Sequence, residues 1–177
     1  MIALIQARMS STRLPGKSLT PVNGIPLLKR VVDNAFKIPN VKKVFVLTSK
    51  DKSDDPIEAF CDFQNINFFR GDRLNVFRRF YEFIKKENLD NKDYFIRLTA
   101  DNPLIDFKTT KLIIPDVPKY DYVSIQNLSH IVPEFINIGA FKKLAKLSLS
   151  DDDYEHVTTS FRGKLSSKFN VKLFPND

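Results

Sequence analysis

Two stretches of this sequence concentrate groups that could do chemistry. Residues 6 to 17 read QARMSSTRLPGK and carry Arg8, Arg13 and Lys17 with no acidic residue among them. Ser10, Ser11 and Thr12 add hydroxyl donors, and Gly16 adds backbone freedom. Arginine offers a planar fork of donors, lysine a point charge, and glycine lets backbone N–H groups approach closely, so the loop suits a polyphosphate. The frame is neither GxxxxGK[ST] nor GxGxxG, and a solvated basic loop is the plain alternative. The second stretch, residues 97 to 106, reads RLTADNPLID. Asp101 stands at the end of an apolar run, shortly before a proline. Facing a triphosphate it would be repelled unless a divalent cation lay between them, and Mg²⁺ typically takes one or two carboxylates with phosphate oxygens and water. Asp101 is therefore the expected metal ligand and Mg²⁺ the expected cofactor. Asp106 reads as the cap of a following helix, and Arg97 as either a packing residue or a phosphate contact.

Elements able to hold these loops follow from the apolar pattern. Met1 to Ala7 reads as a buried strand that runs into the first loop, and Tyr94 to Leu98 as a strand that runs into the second. Further strands are expected at Val44–Thr48, Ile66–Phe69, Tyr120–Ile125, Phe135–Ile138 and Val171–Phe174. Leu28, Val31, Val32, Ala35 and Phe36 fall at helical spacing, as do Phe77, Phe80, Tyr81 and Ile84. Asp54, Asp55 and Pro56 read as the capped start of another helix. Leu144–Leu149 and Tyr154–Phe161 read as helical. Arg78 and Arg79 read as a solvated helix face, Phe77 and Phe80 as core, and Cys61 as packed on the sheet. Strands alternating with helices predict an α/β fold with a mostly parallel sheet, whose ligands sit beyond the carboxyl ends of the strands. Both loaded loops lie at such ends.

Composition narrows the classes. The chain has 177 residues with 28 Lys+Arg against 21 Asp+Glu, a formal net charge of +7, one cysteine and two histidines. The length suits one domain over residues 1–177. A single cysteine makes neither an internal disulfide nor a cysteine-based zinc site. No apolar run approaches the roughly 20 residues of a membrane span, and the N-terminus lacks a basic n-region, so the expectation is a cytoplasmic protein without a membrane partner. The positive excess admits an anionic partner, but no nucleic-acid-binding motif accompanies it, and none is expected.

The run IALIQARMSSTRLPGKSL, with NGIPLL after it, resembles the opening of the cytidylyltransferases related to spore-coat polysaccharide biosynthesis protein F, which group with the CMP–sialic acid and CMP–KDO synthetases. The resemblance implies a Rossmann-like three-layer αβα fold of the nucleotide-diphospho-sugar transferase type. It implies transfer of CMP from CTP onto an acidic or modified sugar with loss of pyrophosphate, in polysaccharide or glycan biosynthesis. Partners would then be CTP and a sugar acceptor, and a homodimer is admitted. By the same resemblance Ala7 and Arg8 lie near base and ribose, with Gln6 and Ser10 beside them. Arg13 and Lys17 grip the triphosphate, and Asp101 in its T-x-D-x-P-L-x-D stretch stands near the metal. Arg70 and Gly71 match the family's F-R-G segment and add Arg70 to the nucleotide contacts.

The resemblance weakens further on. In PEFINIGAF, residues 133 to 141, Phe135, Asn137 and Gly139 stand where the family usually has Gly, Asp and Glu, and Asn75 replaces a usual Asp. Asn137 is read as either a substrate contact or an ordinary strand residue. Asn102 is a further expected substrate contact, and His156, in a matching EHVT stretch, is read as either a contact to substrate or phosphate or an ordinary packed or surface residue. Relatives continue beyond the point matching Phe174, with a segment that helps close the site. Arg13, Lys17 and Asp101 are thus the expected catalytic set. A non-catalytic nucleotide- or sugar-binding relative, or a glycosyltransferase of the same fold, is the alternative.

Overall fold

The computed structural model describes residues 1–11 and 14–176. In chain order it contains β1 (Ile2–Gln6), β2 (Pro21–Val22), β3 (Ile25–Pro26), α1 (Leu27–Ala35), β4 (Lys43–Ser49), α2 (Asp55–Phe63), β5 (Phe68–Gly71) and α3 (Val76–Lys86). There follow β6 (Tyr94–Thr99), α4 (Phe107–Ile113), β7 (Tyr122–Ile125), β8 (Glu134–Asn137), α5 (Ile138–Leu144), α6 (Asp151–His156), α7 (Thr159–Arg162) and β9 (Val171–Phe174). Seven strands form one sheet in the order β5-β4-β1-β6-β8-β7-β9, while β2 and β3 form a separate hairpin. The strands β5, β4, β1 and β6 are parallel neighbours, and β8 runs antiparallel between β6 and β7.

Alternation along the strands sorts side chains to two cores. Ala3, Ile5, Val44, Val46, Ile96 and Leu98 face one layer, which includes Leu28, Val31 and Val32 of α1, Ile57 and Cys61 of α2, and Ile113 of α4. Leu4, Leu47, Phe95 and Ile136 face the other, built by Phe77, Phe80 and Phe83 of α3, Phe141 of α5 and Phe161 of α7. This is a three-layer αβα arrangement. Cys61 is fully buried, and burial pushes its thiol up to about 12. The ends of α2 and α3 are set by Asn65 and Asn88, both at positive φ, with Ile66 N–H returning to Cys61 O and Leu89 N–H to Ile84 O. Asparagine tolerates that left-handed position. Among the described residues no helix is long and apolar enough to cross a membrane.

Strand order fixes where a ligand can enter. From β1 the chain moves outward to β4 and β5, then returns to the other side of β1 for β6. The carboxyl ends of β1 and β6 therefore flank a switch point, where the loops diverge and leave a crevice.

Four sequence expectations are corrected here. The helix expected at Leu144–Leu149 lies at Ile138–Leu144, because the Asn137 side chain accepts the Ala140 N–H and caps it there. The strand expected at Ile66–Phe69 is shifted to Phe68–Gly71 by the asparagine turn before it. The helix expected over Tyr154–Phe161 is broken at Val157, whose φ is 68°. Asp54 precedes α2 but its carboxylate caps nothing there, being used elsewhere.

Candidate functional site

The first loop leaves β1 after Ala7, whose N–H donates to Leu47 O at 3.0 Å. Its neck is then fastened by the buried Asp54. That carboxylate accepts the Met9 N–H at 2.7 Å, the Ser49 N–H at 3.1 Å, and the Ser49 hydroxyl. Across the loop, the Gly16 N–H donates to Met9 O at 2.9 Å, and the Ser18 hydroxyl donates to Arg8 O at 3.1 Å. Gly16 sits at φ 75°, a conformation that glycine adopts without steric cost. These bonds fold the loop back on itself and bring Lys17 to the cleft. Arg13 lies outside the described residues.

The second loop leaves β6 beside the first. The Ala100 N–H donates to Gln6 O at 3.0 Å, which holds the two strand ends together. One residue further, the half-buried Asp101 pairs with Lys17, a contact between residues 84 positions apart. Burial alone would raise the Asp101 pKa, but the hydrogen bond and charge of Lys17 hold the carboxyl below its usual range. Asp106 is the N-cap of α4, accepting the Thr109 N–H at 3.0 Å, as the sequence suggested.

Between the loops lies a cleft of about 280 Å³. Gln6, Ala7, Arg8, Lys17 and Ser18 form one wall, and Thr99, Ala100 and Asp101 the floor. Glu155 and His156 of α6 form the opposite wall, with Val76, Arg79 and Arg97 behind. The Arg8 guanidinium reaches across to Glu155 at 3.6 Å, and His156 Nε2 lies 3.5 Å from Asp152 Oδ1. Arg97 is committed to the sheet: its Nε donates to Gln6 Oε1 at 3.0 Å and its Nη1 to Glu134 Oε2 at 2.7 Å.

Glu134 is 1% exposed and collects donors from several elements. Besides Arg97, the Tyr122 hydroxyl donates to it, the Thr158 hydroxyl donates at 2.9 Å, and Arg162 lies at 3.7 Å. Burial works against its ionisation, but Arg97 and Arg162 hold the carboxyl below its ordinary value. Arg79 is equally hidden at 2% exposure. Its Nε and Nη2 donate to Asp72 O at 3.0 and 2.7 Å, and Nη1 reaches Leu47 O at 3.4 Å. Gly71 is required beside it, since a Cβ there would come within 2.7 Å of Arg79 Cγ.

Of the residues expected at the site, Gln6, Ala7, Arg8, Lys17, Asp101 and His156 converge on the cleft. Four do not. Arg70 is occupied at the outer edge of the sheet, pairing with Asp55 at 2.7 Å and with Glu58 while donating to the carbonyls of Ser49 and Asp51. Ser10 is exposed and does not line the cleft. Asn102 turns to a small separate pocket with Ser129 and His130. Asn137 pairs with Tyr94 at the start of β6, the end of the sheet away from Asp101, and its amide is used up in capping α5 and bonding Asn91 O. Arg79, Glu134 and Asp54 are the residues the sequence reading missed. The spacing of Val76, Phe80 and Phe83 already places Arg79 on the inner face of α3; for the two buried carboxylates no local pattern exists.

The donor set also bears on a cation. Among the described residues no group of three potential metal-binding side chains converges. Asp101, paired with Lys17, is the carboxylate of the cleft floor, and Glu155 is the carboxylate of the opposite wall. That set fits a hard cation such as Mg²⁺, which draws most of its oxygens from phosphate and water.

A cytidylyltransferase family model matches residues 2–169. The chain is 33% identical over 171 residues to the spore coat polysaccharide biosynthesis protein SpsF of Bacillus subtilis, covering 92% of this chain and 70% of that one. It is 33% identical over 103 residues to an 8-amino-3,8-dideoxy-manno-octulosonate cytidylyltransferase of Shewanella frigidimarina, covering 58% of this chain but 41% of the relative. Among solved structures, a cytidylyltransferase from Leptospira borgpetersenii superimposes with a TM-score of 0.85 at 26% identity, over 99% of this chain and 76% of that one.

Proposed function

The chain belongs to the cytidylyltransferase family, and on that premise we propose that it moves CMP from CTP onto an acidic or modified sugar and releases pyrophosphate. The observation that carries this reading is the meeting of Lys17 and Asp101 at the switch point between β1 and β6. A cationic loop and a strand-end carboxylate share one cleft, as a metal-bound triphosphate requires.

In this reading the nucleoside lies along Gln6, Ala7 and Arg8, and the triphosphate along Arg8 and Lys17. An acceptor oxygen attacks the α-phosphorus in line, and the bond from that phosphorus to the bridging oxygen of the β-phosphate breaks. Little covalent chemistry falls to the protein, so positioning and charge stabilisation carry the rate. Lys17 balances charge on the departing pyrophosphate. Arg8 exchanges its exposed contact with Glu155 for phosphate oxygens, a small loss because exposed pairs contribute little. Asp101 would hold Mg²⁺, which when bound screens the phosphates and polarises their oxygens.

The test is pyrophosphate release from CTP, UTP, ATP and GTP, with and without Mg²⁺. The acceptors are 3-deoxy-manno-octulosonate and its 8-amino analogue. Release that needs CTP, acceptor and Mg²⁺ is the expected result. CTP binding without release on either acceptor would instead mark a non-catalytic relative.

A further inference from the structure

α6 and α7 are joined by an uncommon turn. The Thr158 N–H donates to His156 O at 2.7 Å, closing a three-residue ring around Val157 at φ 68°, ψ −43°. This hand of γ-turn is rare and strained, and a β-branched residue at positive φ is a genuine outlier. Strain of this kind persists only where the surroundings over-determine it. Here they do. The Val157 side chain is 1% exposed within the apolar core, and its N–H donates to Asp153 O at 2.9 Å. On the far side Thr158 is fully buried and donates to Glu134, while Tyr122 stacks on Phe161 with ring centroids 5.2 Å apart.

What the turn delivers is the residue before it. His156 faces the cleft, and its Nε2 lies beside Asp152. At 3.5 Å between two exposed side chains that carboxylate makes no hydrogen bond to the ring, so what places His156 is the turn after it. The charged groups around it are Asp152 and Glu155 on α6, Arg8 and Lys17 from the first loop, Asp101 after β6, and Arg79 and Arg97 behind.

We propose that His156 is the proton acceptor of the transfer reaction, that the strained Val157 turn positions it, and that the attacking group is therefore a sugar hydroxyl and not a phosphate oxygen. This rests on the cytidylyltransferase reading above. As the bond from the acceptor oxygen to the α-phosphorus forms, the hydroxyl proton passes to a ring nitrogen of His156. The bond to the β-phosphate breaks, and pyrophosphate leaves with that electron pair. A phosphate oxygen is already ionised near neutral pH and would need no such partner.

The test is the pH dependence of kcat/KM for pyrophosphate release from CTP, using the full chain with both octulosonate acceptors. The wild type is expected to show an acid limb with a slope of one proton. His156→Asn is expected to lose that limb and about 10²- to 10⁴-fold in kcat, with KM for CTP little changed. His130→Asn, the control at the chain's other histidine, keeps both. Thr158→Val removes the tether to Glu134 and is expected to lower kcat about tenfold with the limb kept, a split within the range of misplacement effects. If His156→Asn keeps the limb and its kcat, the base assignment is wrong while the transferase reading stands. A wild type that releases no pyrophosphate from CTP with either acceptor overturns that reading, and this inference with it.

Discussion

The two walls of the cleft are each fastened to the sheet by a carboxylate that is 1% exposed, Asp54 on the side of the first loop and Glu134 on the side of α6 and α7. They solve the same problem differently. Asp54 is held by backbone N–H groups of Met9 and Ser49 and by one hydroxyl, and among the described residues no cation pairs with it within 4 Å. Glu134 is held by two arginines, a tyrosine and a threonine. Partners on the backbone fix the path of a loop, which is what the strap proposed to grip phosphate needs. Partners on side chains fix the orientation of groups that face the cleft, which is what Arg97 and the turn before Thr158 need.

The contrast predicts unequal costs. Glu134→Ala leaves the largely buried Arg97 without its carboxylate and takes a charge from the more exposed Arg162, and breaking a buried pair from one side costs about 3–5 kcal/mol. The expected result is a large fall in the urea midpoint, with Glu134→Gln intermediate because it keeps an acceptor. A midpoint shift no larger than that of an exposed substitution would remove the distinction between the walls. Next in size is Asp101→Asn, which touches the floor they share. Turnover is expected to drop by about 10²- to 10³-fold, the scale for losing one preorganised charge-stabilising group, while the thermal midpoint stays near wild type. Near-normal pyrophosphate release in that variant would take Asp101 out of the chemistry.

Asp54→Ala sharpens the comparison from the other side. It leaves the Met9 and Ser49 N–H groups without their acceptor, at about 1–3 kcal/mol. Since Met9 lies one residue past Arg8, KM for CTP should rise as well. Chemical denaturation and a CTP titration together decide it. Lost stability with an unchanged KM would mean that the tether shapes the fold and not the strap.

Legibility in the sequence divides along the same line. The strap and the strand-end carboxylate are local patterns: a basic run with glycine after one strand, an aspartate after another. Their placement also follows from the α/β alternation, which is itself local. The Glu134 hub is not. Arg97 and Glu134 are 37 residues apart on antiparallel neighbours, and nothing short-range marks two strand residues as partners. Arg78 and Arg79 show how thin the margin can be. The first is 62% exposed at its side chain and pairs with Glu82, while the second is buried one helical step away. The apolar phase of α3 separates them, where charge alone did not. Arg70 fails in the opposite direction, because a motif match cannot reveal that Asp55 and Glu58 have already claimed its guanidinium.

The smallest effect tests the placement of Asn137. Its side chain accepts the Ala140 N–H at 2.9 Å and donates to Asn91 O at 3.1 Å, at the end of the sheet remote from Asp101. Replacing an N-cap asparagine by alanine costs about 1 kcal/mol. Asn137→Ala is therefore expected to lower the unfolding midpoint modestly, while kcat and both KM values stay at wild-type levels. A substrate contact would behave in reverse, with the acceptor KM raised and stability preserved. Measuring both on one variant separates a residue that shapes α5 from one that touches the sugar, because the two roles place their loss in different observables.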